Sequence, residues 1–387
     1  MADRLPAVRL RYQIVAFPIV RTVINTGFRL VYPFLPAIAR GLGVSLETAA
    51  LAVTARASLG FLAPVFGILA DTRSRKSIML LALCLYAAGL SLVAVWPSYA
   101  AFFLALLLSA GGKILFDAAM QAYLGDRIDY ARRGTVIAVT EFGWSGAFLV
   151  GMPVAGWLIA RAGWSAPFPW LAGLALLSAL ILWRLLPHDR PTPREPAPLT
   201  ASLRTVLRHR PAVAGLGVGL LISSANEVVN IVYGAWMEEA FGLQVVALGA
   251  ASALIGASEL TGEGLVAGLA DRLGKRWSVG IGIVLSALAA IGLPILGSTL
   301  VGSLVGLFLF YVTFEFTLVT GISLMTELVP GARATVMAGN ISAHALGRAL
   351  GASLGPALFS AGLVANGWVA AGLNALALSL LVLFVRE

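Results

Sequence analysis

The most constraining feature of this 387-residue chain is a series of twelve apolar runs, most of them close to the roughly 20 residues that a helix needs to cross a bilayer. The runs are continuous rather than alternating, which excludes the pattern of an outer-membrane β-barrel. Charged residues make up 12% of the chain, so a water-soluble globule of this length could not cover its apolar core. We therefore expect an all-α polytopic membrane protein with twelve transmembrane helices. The runs cover residues 12–39, 46–70, 77–95, 99–124, 134–160, 166–186, 211–237, 245–270, 278–296, 299–326, 334–362 and 367–385.

One polar stretch divides the series in the middle. Residues 187–210 are rich in proline and charge, which is typical of a linker. The predicted organisation is an N-terminal six-helix bundle over 1–186, a cytoplasmic linker over 187–210 and a C-terminal six-helix bundle over 211–387.

The basic residues are distributed unevenly between the two predicted sides of the membrane. Of the 27 Lys and Arg residues, twenty fall on the side of the N-terminus, five inside helices, and two, Arg40 and Arg161, on the opposite side. Positive loops face the cytoplasm, so both termini are predicted to be cytoplasmic, in a bacterial inner membrane. The net charge of +9 is then a topology signal, which excludes nucleic acid as a partner.

The two halves of the chain repeat each other. The stretch from Asp71 to Lys76 recurs as Asp271 to Arg276, an offset of 200 residues, and 133–136 recurs as 333–336 with the same offset. Two loops with one offset indicate two parallel six-helix repeats, the layout of transporters that work by alternating access.

The repeated loop resembles the signature of the major facilitator superfamily (MFS), and the resemblance extends over essentially the whole chain. It implies two pseudo-symmetric six-helix bundles whose signature loops lock the cytoplasmic side. The gating residues implied in this way are Gly67, Asp71, Arg75, Lys76, Asp271, Lys275 and Arg276.

The fifth apolar run is similar to the glycine-proline motif of the family's proton-driven exporters, although Met152 separates the glycine from the proline. Glycines let helices approach closely, and proline bends a helix. The predicted helix-packing residues are Gly146, Gly151, Pro153 and Gly156.

Eleven ionisable residues other than histidine lie inside the predicted helices. Each would cost about 2.5–3.5 kcal/mol at a helix centre facing lipid, so they must pair or line a wet cavity. Spacing groups some of them, since Arg21, Asn25 and Arg29 share one face of the first helix. The predicted cavity residues are Arg21, Asn25, Arg29, Arg56, Lys113, Asn226, Glu227, Asn230, Glu259, Glu263 and Arg348.

Depth in the membrane suggests which groups could carry a proton. Asp117 and Glu141 are equally far from the loop 126–133, and Glu315 and His344 are similarly placed about the loop near Pro330. Two carboxylates at one depth cannot both ionise cheaply, unless Lys113 or an arginine of the first helix neutralises them. The predicted proton-coupling residues are therefore Asp117, Glu141, Glu315 and His344.

The mixed charge of the cavity favours a small amphipathic, zwitterionic or anionic substrate. No nucleotide-binding loop is present, so the expected energy source is the proton gradient, with no cofactor. An isolated His344 gives no metal-ligand spacing, and nothing supports an enzyme. We expect a monomeric, proton-coupled exporter in the lipid bilayer. The alternatives are an uncoupled facilitator or a flippase for lipid-linked substrates, and, in another class, a non-transporting receptor or assembly protein.

Overall fold

A computed structural model describes residues 7–63, 65–66, 73–128, 130–187, 199–329 and 333–385. These residues form sixteen α-helices with short connections, and none of them lies in a β-strand. The helices are α1 Ala7–Arg29, α2 Val31–Leu42, α3 Leu46–Ser58, α4 Arg75–Val95, α5 Tyr99–Arg127, α6 Tyr130–Gly146, α7 Met152–Ala162, α8 Pro167–Leu185, α9 Leu199–Arg208, α10 Arg210–Asn230, α11 Tyr233–Phe241, α12 Val245–Leu273, α13 Lys275–Leu296, α14 Leu300–Leu328, α15 Arg333–Phe359 and α16 Leu363–Phe384.

Within the described ranges, nine helical segments are long and apolar enough to cross a membrane. The pair α1 and α2, bent by 49° at Leu30, makes a tenth if it is counted as one span. The predicted run 46–70 begins as α3 and continues as a 3-10 turn over Leu59–Leu62, and the run 334–362 is α15. The predicted fold class, an all-α polytopic membrane protein, is confirmed.

Two of the breaks between helices have a proline as their cause. Pro33 has no N–H for the carbonyl of Arg29, four residues earlier, and α1 ends at that residue. Pro153 likewise cannot donate to the carbonyl of Leu149, which lies in a π-helical turn over Ala147–Gly151 between α6 and α7.

The helix ends use the same chemistry in both halves. Ser98 caps α5 by accepting the N–H of Ala101, and Thr299 caps α14 by accepting the N–H of Gly302. The glycines that end α2 and α11, Gly43 and Gly242, both have positive φ, which a residue with a Cβ rarely adopts.

The chain forms two compact units. Unit 1 consists of Met1–Val44, Leu62–Arg194 and Val245–Ala253, and unit 2 of Ser45–Phe61, Glu195–Gln244 and Leu254–Glu387. In unit 1, α1 packs against α6 and α8, and α4 against α5 and α8. In unit 2, α10 packs against α15 and α16, and α13 against α14 and α16. The two units therefore repeat the same set of helix pairs.

The predicted linker 187–210 is helical in its second part, where it forms α9. Val206 of α9 is buried against Ala212, Met325 and Val336 of unit 2. An apolar face on this short, otherwise basic helix explains why it packs onto the unit instead of remaining extended.

Candidate functional site

A cluster of four charged side chains lies inside unit 1. Arg21 of α1 bridges two carboxylates, with its Nε 3.3 Å from Oδ1 of Asp117 and its Nη1 2.7 Å from Oε1 of Glu141. Lys113 contacts the other oxygen of Asp117 from one turn away on α5, at 2.5 Å. Nη1 of Arg21 also donates to the carbonyl of Thr140 at 2.9 Å. Helices α1, α5 and α6 thus meet at one charged network.

Two cations face two carboxylates in this network, so it carries no net charge when all four groups are ionised. The arrangement matches the condition under which Asp117 and Glu141 need not share a proton, because an arginine of the first helix and Lys113 neutralise them. The four side chains differ in exposure: that of Arg21 is 6% exposed, that of Lys113 12%, that of Asp117 22% and that of Glu141 38%. Glu141 is the more exposed of the two carboxylates.

Close contact between α1 and α6 holds Arg21 over Glu141. A Cβ on Gly143 would lie 2.6 Å from the carbonyl oxygen of Pro18 and from Cβ of Arg21, so only glycine fits. The amide of Asn25 donates to the carbonyl of Gly143 at 3.1 Å, which fixes the same contact by a hydrogen bond.

Aromatic rings flank the charged network. The guanidinium of Arg29 lies 3.6 Å from the ring centre of Trp144 and 4.1 Å from that of Phe148. The ammonium of Lys113 lies 5.4 Å from Trp144 and 5.7 Å from the ring of Phe28. These distances fall within the range of cation–π attraction. The site therefore combines charges with an aromatic wall.

These rings were not predicted as part of the site, although the sequence contains a signal for them. Trp144 and Phe148 follow Glu141 by three and seven residues, which places all three on one helical face. Phe28 follows Arg21 by seven residues on α1 in the same way.

A second polar cluster lies in unit 2, and hydrogen bonds connect it. The hydroxyl of Tyr311 donates to Oδ1 of Asn230 at 2.6 Å, and the amide of Asn230 donates to Oε2 of Glu227 at 3.0 Å. On α10, which also carries Glu227 and Asn230, Oγ of Ser223 lies 2.6 Å from Nδ1 of His344 on α15. All five side chains are buried. Glu227, Asn230 and His344 are residues of the predicted site, whereas their partners Tyr311 and Ser223 were not predicted.

The remaining predicted cavity and coupling residues of unit 2 are distributed over several helices. Asn226, Glu259 and Glu315 are buried, as is Arg56 of α3. Glu263 and Arg348 are partly exposed. Within the described ranges, no three His, Cys, Asp or Glu side chains gather as a metal ion would require.

The basic residues of the repeated loop make equivalent contacts in the two units. Arg75 pairs with Asp126, with Nε 3.6 Å from Oδ2, and Lys275 pairs with Glu327, one residue beyond the position equivalent to Asp126. Lys76 donates to the carbonyls of Trp183 and Leu186 at the end of α8, both at 2.6 Å. Arg276 donates to the carbonyl of Val382 near the end of α16 at 3.0 Å.

Each pair of basic residues therefore anchors the start of α4 or α13 to two neighbouring helix ends, where a positive charge also meets the negative end of a helix dipole. No contacts are described for the other three predicted gating residues. Gly67 and Asp71 fall outside the described residues, and so does the side chain of Asp271.

The predicted packing glycines lie against α1 and α12. A Cβ on Gly146 or Gly151 would meet Thr22 or Thr26 of α1, and one on Gly156 would meet the carbonyl of Val245. Pro153 lies in the first turn of α7, directly after the π-helical turn.

Comparisons with known proteins agree with this architecture. A family model described as Major Facilitator Superfamily matches residues 19–226 and 215–387. The chain is 27% identical over 346 residues to the inner membrane transport protein YdhP of Escherichia coli K12, covering 85% of this chain and 84% of that protein.

Solved structures show the same fold. The POT family transporter PepTSo superposes with a TM-score of 0.78 at 14% identity, over 97% of this chain and 98% of that one. The human organic anion transporter MFSD10 (TETRAN) gives 0.72 at 23% identity, over 97% of this chain and 100% of that one. The chain therefore belongs to the Major Facilitator Superfamily, as a multi-pass membrane transporter rather than an enzyme.

Proposed function

We propose that this transporter exports a small amphipathic, zwitterionic compound by alternating access, in exchange for protons. The observation that carries the proposal is the network in which Arg21 holds Glu141 and Asp117 beside the aromatic wall of Trp144 and Phe148. The E. coli relative is named an inner membrane transport protein, and we place this chain in the same kind of membrane.

Glu141 is the proton-accepting group in this proposal. It is the more exposed of the two carboxylates, and a proton on it cancels its charge and its ion pair with Arg21. Arg21 keeps its contact with Asp117, and Asp117 keeps Lys113. Protonation therefore changes one ion pair of the network and leaves the others in place, as a reversible coupling step requires.

The positions of the charges favour a zwitterion over a simple anion. An ammonium group on the substrate competes with the proton for Glu141, so one binding event excludes the other and the two fluxes run in opposite directions. An anion would instead pair with Arg21, release Glu141 for a proton, and travel with that proton. The aromatic rings of Phe28 and Trp144 accept the apolar part of the substrate.

The loop contacts have a structural function, whereas the charged network binds substrate and proton. Arg75, Lys76, Lys275 and Arg276 tie helix ends together within each unit, which favours motion of the units as rigid bodies. The gating function of these residues and the cytoplasmic position of the termini are part of the proposal.

The test begins with a ligand search and continues with transport. Purified protein is screened by thermal stabilisation against aromatic zwitterions, aromatic carboxylates and amphipathic amines. A stabilising compound is then followed into inverted vesicles with and without a pH gradient. We expect pH-driven accumulation by the wild type and its loss in Glu141→Gln. Exchange at equal pH should be weaker in that variant, because the ammonium group loses its charged partner, and it should no longer depend on pH. Glu239→Gln, at an exposed carboxylate, is the control.

Two results would contradict the assignment. Accumulation that persists in both Glu141→Gln and Asp117→Asn would move the coupling to the carboxylates of unit 2, Glu227, Glu259 or Glu315. Wild-type transport that does not respond to the pH gradient would identify an uncoupled facilitator.

A further inference from the structure

An apolar groove runs along the outer face of unit 2 between α13 and α16. It has a cavity volume of about 320 Å³, and its lining is apolar apart from Arg276 at one end. Gly280, Val284, Leu378 and Val382 form the walls, and Trp277 lies at the mouth beside Arg276. None of these residues belongs to the charged network or the aromatic wall of unit 1.

The internal repeat explains why the groove is open in this unit. Residue 280 corresponds to Leu80 at the offset of 200. Val382 corresponds to Trp183 at an offset of 199, since both offer the carbonyl that the loop lysine or arginine binds. Unit 1 thus has a leucine and a tryptophan where unit 2 has a glycine and a valine. A Cβ on Gly280 would lie 3.9 Å from Leu378 and 3.6 Å from Leu381, so a larger side chain there would project into the groove.

The charged end of the groove lies at the level where α13 begins and α16 ends. Arg276 is partly exposed there, and Arg272 is exposed four residues earlier. The first turn of α13 adds the positive end of a helix dipole. Trp277 is an exposed aromatic residue at the same level, as is common at the boundary between hydrocarbon and headgroups.

We propose that this groove binds one anionic phospholipid, with an acyl chain between α13 and α16 and the phosphate at Arg276. The apolar walls match the chemistry of an acyl chain, and the positive end matches a headgroup with a net negative charge. The site is separate from the transport site and does not depend on proton coupling or on the nature of the substrate.

Trp277 provides a direct readout of occupancy, because bromine atoms on an acyl chain quench the fluorescence of a nearby tryptophan. The full-length protein is reconstituted in phosphatidylcholine vesicles that contain a minor fraction of brominated phosphatidylglycerol or, separately, brominated phosphatidylcholine. The difference between wild type and Trp277→Phe isolates the signal of this residue among the nine tryptophans. We expect brominated phosphatidylglycerol to bind about fivefold more tightly, the effect of one favourable charge at the membrane surface.

Two variants test the two parts of the site. Arg276→Gln should abolish the preference for phosphatidylglycerol, whereas Arg272→Gln should reduce it less. Gly280→Leu, which introduces the residue of unit 1, should reduce quenching of Trp277 by both brominated lipids. Its control is Gly292→Leu on the same helix, where a Cβ meets no other atom within 4 Å.

Val382→Trp is a second way to fill the groove if Gly280→Leu folds poorly. Equal quenching by the two lipids in the wild type would overturn the proposal. Quenching that is unchanged in both Gly280→Leu and Val382→Trp would do the same.

Discussion

Arg21 is a charged residue inside a membrane helix, and its burial must be offset by polar partners. A charged side chain at the centre of a membrane helix costs about 2.5–3.5 kcal/mol, and this one is nearly buried. Two carboxylates and the carbonyl of Thr140 accept its donors, which offsets that cost. Its removal would take away the ion pair between Arg21 and Glu141, whereas Asp117 would retain its contact with Lys113.

We predict that Arg21→Met destabilises the protein by about 3 kcal/mol, the lower end of the range for breaking a buried ion pair, since the side chain of Glu141 is only partly buried. Adding Glu141→Gln should restore part of the loss, because the uncompensated carboxylate disappears. Denaturant unfolding in detergent micelles measures both effects. Arg161→Met, at an exposed arginine, serves as the control, and an equal loss in both single variants would contradict the structural importance of the network.

At the scale of single residues, the sequence identified the charges but not their neighbours. Charged residues inside apolar runs are conspicuous because their cost demands a partner, so Arg21, Asp117 and Glu141 could be selected. Tyrosine and phenylalanine are common in membrane helices, so the presence of Tyr311 and Phe148 in apolar runs does not predict what these residues contact. Their role depends on which helices meet, and that information is tertiary.

At the scale of helices, close packing depends on positions where a side chain would collide with a backbone. On α12, a Cβ at Gly262 would lie 2.8 Å from Cβ of Glu315 and 3.0 Å from the carbonyl oxygen of Val312. Two residues later, a Cβ at Gly264 would meet no atom within 4 Å. The two glycines lie on one helix, but only Gly264 has room for a side chain.

We therefore predict opposite effects for the two alanine variants. Gly262→Ala should destabilise by about 1–3 kcal/mol, because the added methyl group forces α12 and α14 apart. Gly264→Ala should stabilise by about 0.5–1 kcal/mol, the usual gain for replacing a glycine in a helix. Thermal unfolding of the two purified proteins in the same detergent gives the comparison. Equal shifts in one direction would show that the contact between α12 and α14 is not tight.

Helix boundaries were predictable where local chemistry sets them. Prolines and capping residues mark several helix ends in the sequence, and caps such as Ser98 and Thr299 recur in the two halves. The boundary before the last helix was predicted wrongly, since residues 363–366 were assigned to a loop and α16 begins at Leu363. Asn366 is fully buried there and donates to the carbonyls of Val228 and Gly355. A polar residue satisfied by a distant helix is indistinguishable from a loop residue in the sequence.

At the scale of the whole molecule, three independent properties of the sequence pointed to the same architecture: continuous apolar runs, a 200-residue repeat and unequal basic loops. The repeat is visible in the structure as matched contacts, since Arg75 and Lys275 each pair with the end of the neighbouring helix. The grouping of helices into units was not predictable in the same detail. Residues 45–61 belong to unit 2 and 245–253 to unit 1, which depends on packing rather than on order along the chain.

The basic loops lead to the last prediction, the orientation of the molecule. When a protein is inserted into the membrane, its basic loops are retained in the cytoplasm. The side that holds twenty of the 27 basic residues should therefore face the cytoplasm. On a Cys84→Ala background, single cysteines at Pro97 and Ala361 are exposed between helices on the side with few basic residues. A cysteine at Arg204 is exposed on α9, on the opposite side by the predicted topology. An impermeant thiol reagent should label the first two in intact cells and the third only after permeabilisation. Labelling in the reverse pattern would invert the orientation, and with it the sides on which the proposed exporter releases substrate and takes up protons.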